Sequence, residues 1–464
     1  MVKQIFTHKI FLLLLLSLLL MVPVQSIMEL NRERQAYRSQ AIHSIMASSS
    51  GPQRLMGPII VQPYTRSVTV EQEGKRFVRQ KQIYRYLLPE QLDIKANMEV
   101  TPRKLGIYQA QVYQTRLSLS GRLPTATQLQ ESAPLAGDDE LVAGKPYLSL
   151  VLSDARGINS VPELQLGTQR IPFAPGARLG DALAGIHAPI DSLPQQDGTF
   201  HLELNLQGMN ALDIVPLGKE STLLLAGNWP HPNFIGDFLP GSRTLSPQGF
   251  EANWQTSWFA SDMETRFNRM MNGGDSNLST FSVSLVQPVD HYQLNERAAK
   301  YALLFIGLTF ISFVMFELLK GLRVHPIQYA LVGMGLAIFY LVLLALTEHL
   351  GFGWAYLVAA LASVLLNGFY LSHVLGGPKQ GIGFAALLGL VYAILYSLLQ
   401  AEEIALLLGA LLLFATLALI MMLTRKLDWY QVMDYSAPRD HMGGPPSHRP
   451  VTPTISHKPK KTGA

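Results

Sequence analysis

Cysteine is absent from all 464 residues. That excludes disulfides, thiolate nucleophiles and cysteine-ligated metals, although a domain of a few hundred residues buries an adequate core without cross-links. Charge is scarce too: Asp, Glu, Lys and Arg make up 15% of the chain, where an ordinary soluble protein carries about a quarter. Catalytic signatures are also missing. There is no Gly-x-Ser-x-Gly elbow and no His-Glu-x-x-His zinc pair. Gly144-Lys145 is followed by Pro146 and lacks the preceding glycine spacing of a phosphate loop. These absences weigh against an enzyme, and no catalytic, cofactor or metal residues are assigned. The net charge of +4 comes from short basic clusters beside hydrophobic stretches and in the tail. A basic face on a folded domain is what nucleic acid would need, so no nucleic-acid partner is expected.

What is present is apolar length. Six segments come close to the roughly 20 residues that cross a bilayer: about 10–28, 301–319, 327–346, 354–375, 382–400 and 403–424. Their flanks set a direction. Lys3 and Lys9 precede the first segment, and Lys320 and Arg323 follow the second. Lys379 lies between the fourth and fifth, and Arg425 and Lys426 follow the sixth. The alternate loops carry Glu348 and then Glu402 with Glu403, without Lys or Arg. Basic residues in short loops mark the cytoplasmic side. Both termini are therefore expected inside the cell and residues 29–298 outside. The first segment has a second reading. Pro23 followed by Val24-Gln25-Ser26 also suits the cleavage site of a signal peptide.

The expected fold is a six-span α-helical membrane protein, five spans forming a C-terminal bundle, with a large, mostly antiparallel β (α+β) periplasmic domain. Its parts are a signal-anchor helix at 1–28, the β-rich domain at 29–298, the bundle at 299–426 and a cytoplasmic, disordered tail at 427–464. Residues 29–50 read as a helix continuing from the membrane, broken by Gly51-Pro52. Strand signals follow: Leu202, Leu204 and Leu206 alternate with polar residues, as do Phe281, Val283 and Leu285, while Tyr147–Leu152 is a continuous apolar run. The stretch 121–146 reads as a loop or a lobe boundary.

Candidate contact residues fall in two places. Asn228 to Pro240 packs prolines, a glycine and rings too densely for a regular helix. There Trp229, His231, Phe234 and Asp237 are candidates for partner or ligand contacts, or else cover one end of a β core. Asp154 and Arg156 read as a turn with a local ion pair. Inside or beside the apolar segments the polar candidates are Asn367, Glu348 and His373, with Glu317 near an inner end. Polar groups in lipid are functional candidates by default, though Asn is also common helix–helix glue. Small residues at every fourth position, Ala355, Ala359, Ser363 to Asn367 and Ala385, Gly389, Ala393 to Ser397, read as two packing seams.

Several longer phrases carry a resemblance. They include Tyr37-Arg38-Ser39, Ser50-Gly51-Pro52-Gln53-Arg54-Leu55, Gly144-Lys145-Pro146 with Ser153-Asp154-Ala155-Arg156-Gly157, and Asn228-Trp229-Pro230-His231-Pro232 through Pro240. Trp258-Phe259-Ala260, Lys300-Tyr301-Ala302, Glu348-His349, Asn367-Gly368 and Asp428-Trp429-Tyr430 complete the set. Through them the chain resembles the CreD family of bacterial inner-membrane proteins, over most of 1–431. The resemblance implies a protein of the inner membrane tied to envelope integrity, colicin tolerance and stress responses. It supplies no catalytic residues. The expected partners are the lipid bilayer and a periplasmic envelope protein or lipid. A transporter or lipid-handling protein is the alternative, and an envelope-polymer enzyme a third reading.

Overall fold

A computed structural model of the full chain describes residues 2–72, 75–131, 141–180, 183–195, 198–274, 277–285, 291–320, 324–374, 377–401 and 404–425. Arg323, Glu402, Glu403, Lys426, the tail and part of the 121–146 stretch lie outside them.

The first element is one helix, Val2–Ser48, 47 residues long, or about 70 Å at 1.5 Å per residue. Pro23 lies inside it. A proline removes one backbone donor without ending a helix whose neighbouring turns are well bonded. The polar stretch after Met28 continues the same helix, and Gly51-Pro52 follows its end. Its last turns carry Ile42, Ile45 and Met46 on one face, packed against Ala110, Val112 and Met209.

The β-rich part contains a nine-stranded and an eight-stranded sheet. The strand Gln53–Gln72 organises the first. It pairs parallel with Ala211–Val215 and antiparallel with Lys75–Leu87, Leu141–Ala143 and Tyr147–Leu152. In the second, Gln91–Leu105 pairs antiparallel with Tyr108–Arg122 along its whole length and parallel with Glu220–Gly227. Among the described residues pairing is therefore mostly antiparallel, with two parallel ladders that the sequence did not announce.

Both sheets share one core. Leu55, Leu150 and Ile214 of the first sheet join Leu92, Leu117, Leu202 and Trp254 of the second. The alternation at 200–206 is the signature of a strand with one inward face: Phe200, Leu202, Leu204 and Leu206 are buried and their neighbours are not. Tyr147–Leu152 is buried at every position because the first sheet is covered twice. Leu148, Leu150 and Leu152 face the shared core. Tyr147 and Val151 face a second core with Met263 and Phe267 of the helix Met263–Met271. A continuous apolar run is what a strand covered on both faces requires. Burial also pushes the Tyr147 phenol up to about 12. Within 121–146, expected as a loop, stand a short helix, Ala126–Glu131, and the strand Leu141–Ala143.

The described residues of the six apolar segments are helical, apart from Tyr301 and Ile404. Besides the N-terminal helix they form Ala302–Lys320, Pro326–Leu350, Phe352–Val374, Pro378–Gln400 and Ala405–Thr424. Among the described residues, four helices are long and apolar enough to cross a membrane. A fifth is reached when His291–Lys300 and Ala302–Glu317, bent by 47°, are counted as one span, while Leu407–Met422 forms a shorter apolar helix.

The chain divides into two compact units. One gathers Gln25–Ala299 with Tyr340–Ala359, and the other holds the remaining helical residues. Of the two expected seams, Ala355, Ala359, Ser363 and Asn367 are all buried. The other holds only at Ala385, whose Cβ would lie 2.8 Å from a side chain at Gly368 of Phe352–Val374, and is corrected beyond it. A side chain at Gly389 would meet nothing within 4 Å, and Ala393 and Ser397 are exposed. Pro378–Gln400 instead buries its bulkier face, Phe384, Leu388, Val391, Tyr392 and Leu395.

Candidate polar site at Glu348

Glu348 stands one turn before Gly351, whose φ of +75° is the left-handed conformation that ends a helix at low cost for glycine. The chain reverses there from Pro326–Leu350 into Phe352–Val374. The Glu348 side chain is only 12% exposed. A carboxylate so far out of water needs partners, and two other elements of the same unit supply them. The Tyr292 hydroxyl donates to Oε1 at 3.2 Å. The Arg34 guanidinium approaches the same oxygen at 3.7 Å.

The spacing of those elements explains the cluster. Asn31, Arg34 and Arg38 recur every three to four residues and so share one face of the N-terminal helix. Asn31, 3% exposed, donates through Nδ2 to the Tyr292 carbonyl at 3.1 Å. The helix His291–Lys300 is amphipathic, burying Tyr292, Leu294, Asn295, Ala298 and Ala299. Asn295 accepts from the Thr347 hydroxyl through Oδ1 at 3.5 Å. The hairpin turn at Gly106 brings Tyr108 to the same place. Together these residues line a cavity of about 240 Å³ whose polar wall includes Arg38, Tyr108, His291, Asn295, Glu348 and His349. The sequence singled out Glu348 alone. The helical spacing of Asn31, Arg34 and Arg38 was the available signal for the rest.

The other intramembrane candidates are differently placed. Asn367, 3% exposed, donates to the Ser363 carbonyl at 2.9 Å and to Ser363 Oγ at 3.3 Å. Ser363 Oγ in turn accepts from the Tyr392 hydroxyl at 2.8 Å. A Cβ at Gly335 would sit 3.1 Å from the Asn367 amide, so that glycine is where a neighbouring helix comes close. Asn367 thus bonds within its own helix, and the hydrogen bond between helices is the one from Tyr392 to Ser363. His373 is exposed and bonds locally, through Nδ1, to the Phe369 carbonyl at 3.2 Å. Glu317 is fully engaged: it accepts from Lys9, from the Tyr329 hydroxyl at 2.6 Å and from the Val324 backbone at 3.1 Å.

Within 228–240, Asn233–Ile235 is a short strand rather than loop, paired antiparallel with Phe281–Ser284, and its Phe234 is 8% exposed and belongs to the shared core. Its ring meets Trp254 and Phe250 edge-on at 5.5 and 5.8 Å, leaving no face for a ligand. Trp229 packs partly on the same core and donates to the His231 carbonyl at 3.0 Å. The Asp237 carboxylate accepts from Thr280 N at 3.3 Å, and His231 is exposed. Asp154 caps a short turn, accepting from the Arg156 backbone at 3.1 Å and from its guanidinium at 2.7 Å. These bonds hold its carboxyl below the usual carboxylate range. Among the described residues no group of three or more His, Asp or Glu is arranged to hold a metal.

The family model described as "Inner membrane protein CreD" matches residues 5–430. The chain is 40% identical over 415 residues to the inner membrane protein CreD of Escherichia coli strain K12, covering 89% of this chain and 91% of that one. Among solved structures, an M1 zinc metallopeptidase from Deinococcus radiodurans aligns over 46% of this chain and 53% of its own, with 8% identity and a TM-score of 0.21. A likeness that slight carries no argument about fold or activity.

Proposed function

The chain belongs to the CreD family of inner membrane proteins, and from that premise we propose that it is a non-enzymatic protein of the bacterial inner membrane that contributes to envelope integrity and the envelope stress response. It crosses the membrane six times, holds both termini in the cytoplasm and presents the β-rich domain to the periplasm. The alternation of basic and acidic loops supports that orientation. The domain acts by binding an envelope partner or lipid close to the membrane face.

The observation that carries this reading is the polar cluster at Glu348. A carboxylate in the turn between two apolar helices is bonded by residues from the N-terminal helix and from the segment that closes the β-rich domain. The arrangement leaves a polar cavity rather than a packed apolar end. In a chromosomal deletion, sensitivity to detergents should rise. Wild-type protein should restore resistance fully and Glu348→Gln only in part. A deletion strain with unaltered envelope permeability would count against the function. A phosphatase reporter fused after residue 200 should be active, and an inactive one would count against the orientation.

A further inference from the structure

The cavity at Glu348 has a chemical asymmetry. One part of its wall is a carboxylate, Glu348, and the rest is rich in donors: the Arg38 guanidinium, the Tyr108 hydroxyl, the imidazoles of His291 and His349, and the amide of Asn295. Asn295 is 7% exposed and its Nδ2 is out of reach of solvent, so recognition falls to the charged walls, Arg38 and Glu348. An adjoining cavity touched by Asn31 and Asn295 is only about 10 Å³, at the lower limit for a single water.

Size and depth narrow the ligand. At about 240 Å³ the cavity is smaller than the roughly 300–1,000 Å³ of drug-sized sites, which fits a headgroup and not a whole lipid. Depth follows from the membrane reading, on which this inference rests. The turn at Glu348–Gly351 ends two spanning helices, and Trp354, 69% exposed, stands one turn beyond it, as interfacial tryptophans do. The cavity therefore opens at headgroup level. A purely anionic headgroup would face the Glu348 carboxylate, and a purely cationic one would face Arg38. A zwitterion satisfies both.

We infer that this cavity seats the phosphoethanolamine headgroup of a membrane lipid, its phosphate received by Arg38 and its ammonium by Glu348.

The test uses the full-length protein in nanodiscs and mild detergent, with lipid retention read by native mass spectrometry. Phosphatidylethanolamine should be retained at about one molecule per chain, in preference to phosphatidylglycerol. Arg38→Gln and Glu348→Gln should each weaken retention about tenfold, the scale of one charge-assisted contact. Arg116→Gln serves as the unaffected control, with circular dichroism confirming that each variant is folded. Equal or better retention of phosphatidylglycerol would overturn the zwitterion assignment. Soluble O-phosphoethanolamine binding as tightly as the lipid would overturn the membrane source. Retention unchanged in both Arg38→Gln and Glu348→Gln would overturn the site. Because this readout is independent of the envelope phenotype, the two readings separate. A chain that retains the lipid but whose deletion leaves the envelope intact overturns the function alone, and the converse overturns only the cavity's ligand.

Discussion

Lys9 and Glu317, 308 positions apart, form an ion pair whose side chains are 23% and 12% exposed. Lys9 also donates to the Val324 carbonyl at 3.2 Å and lies 5.4 Å from the Tyr329 ring centre. The first hydrophobic helix is thus tied to the helices that follow the β-rich domain. Lys9→Gln should leave Glu317 under-compensated, and a double-mutant cycle with Glu317→Gln should give a coupling energy of about 1–3 kcal/mol. Thermal unfolding of the solubilised protein measures it, and a coupling near zero would contradict a stabilising pair.

The same contact bears on processing. A pair that needs Lys9 is lost if the chain is cut after Ser26, so the N-terminal helix should be retained. Terminal sequencing of the purified protein checks this, and Ile27 as first residue would refute it.

Asp154 gives a pH dependence. Its bonds to Arg156 hold the carboxyl below its usual value, which in the unfolded chain is about 3.9. The resulting stabilisation is present above that unfolded value and is lost as pH falls through the lower folded one. Arg156 also donates to the Ala47 carbonyl at 2.9 Å, at the end of a helix where a cation is favourable. Asp154→Asn should flatten the acid limb of a stability–pH curve. A curve of unchanged shape would show that the carboxyl contributes nothing there.

The segment 228–240 separates core from surface. Phe234→Ala empties space beside Trp254 and Phe250 and should cost about 3–5 kcal/mol, read by denaturant titration of tryptophan fluorescence. Exposed His231→Ala should change stability by no more than about 0.5 kcal/mol. Comparable effects at the two positions would mean that Phe234 is not a core residue.

Asn367 is bonded to Ser363, and Ser363 to Tyr392. Asn367→Leu should lower thermal stability modestly, by about 1 kcal/mol, the usual net worth of one hydrogen bond. The envelope phenotype should be unaffected. A lost phenotype in a protein of unchanged stability would revive the transport reading.

Much of this molecule is written locally. An apolar run of about 20 residues has no stable alternative to a helix in lipid, so the six helical segments are legible wherever they pack. Alternation at 200–206 and the unbroken run at 147–152 report one covered face and two, because burial imposes its period on the strand itself. Asp154 and Arg156 lie two residues apart and announce their own turn. Other features depend on partners far apart in the chain. Lys9 and Glu317, Arg34 and Glu348, and the parallel pairing of Gln53–Gln72 with Ala211–Val215 join segments with no common pattern. The same holds for the second small-residue stripe, offered by the sequence as a seam, of which packing uses Ala385 and otherwise buries Phe384 and Tyr392. Periodicity determines which face of an element avoids water. Which surface covers that face, and which polar groups are thereby buried and must find one another, is decided only when distant elements compete to fill the same space.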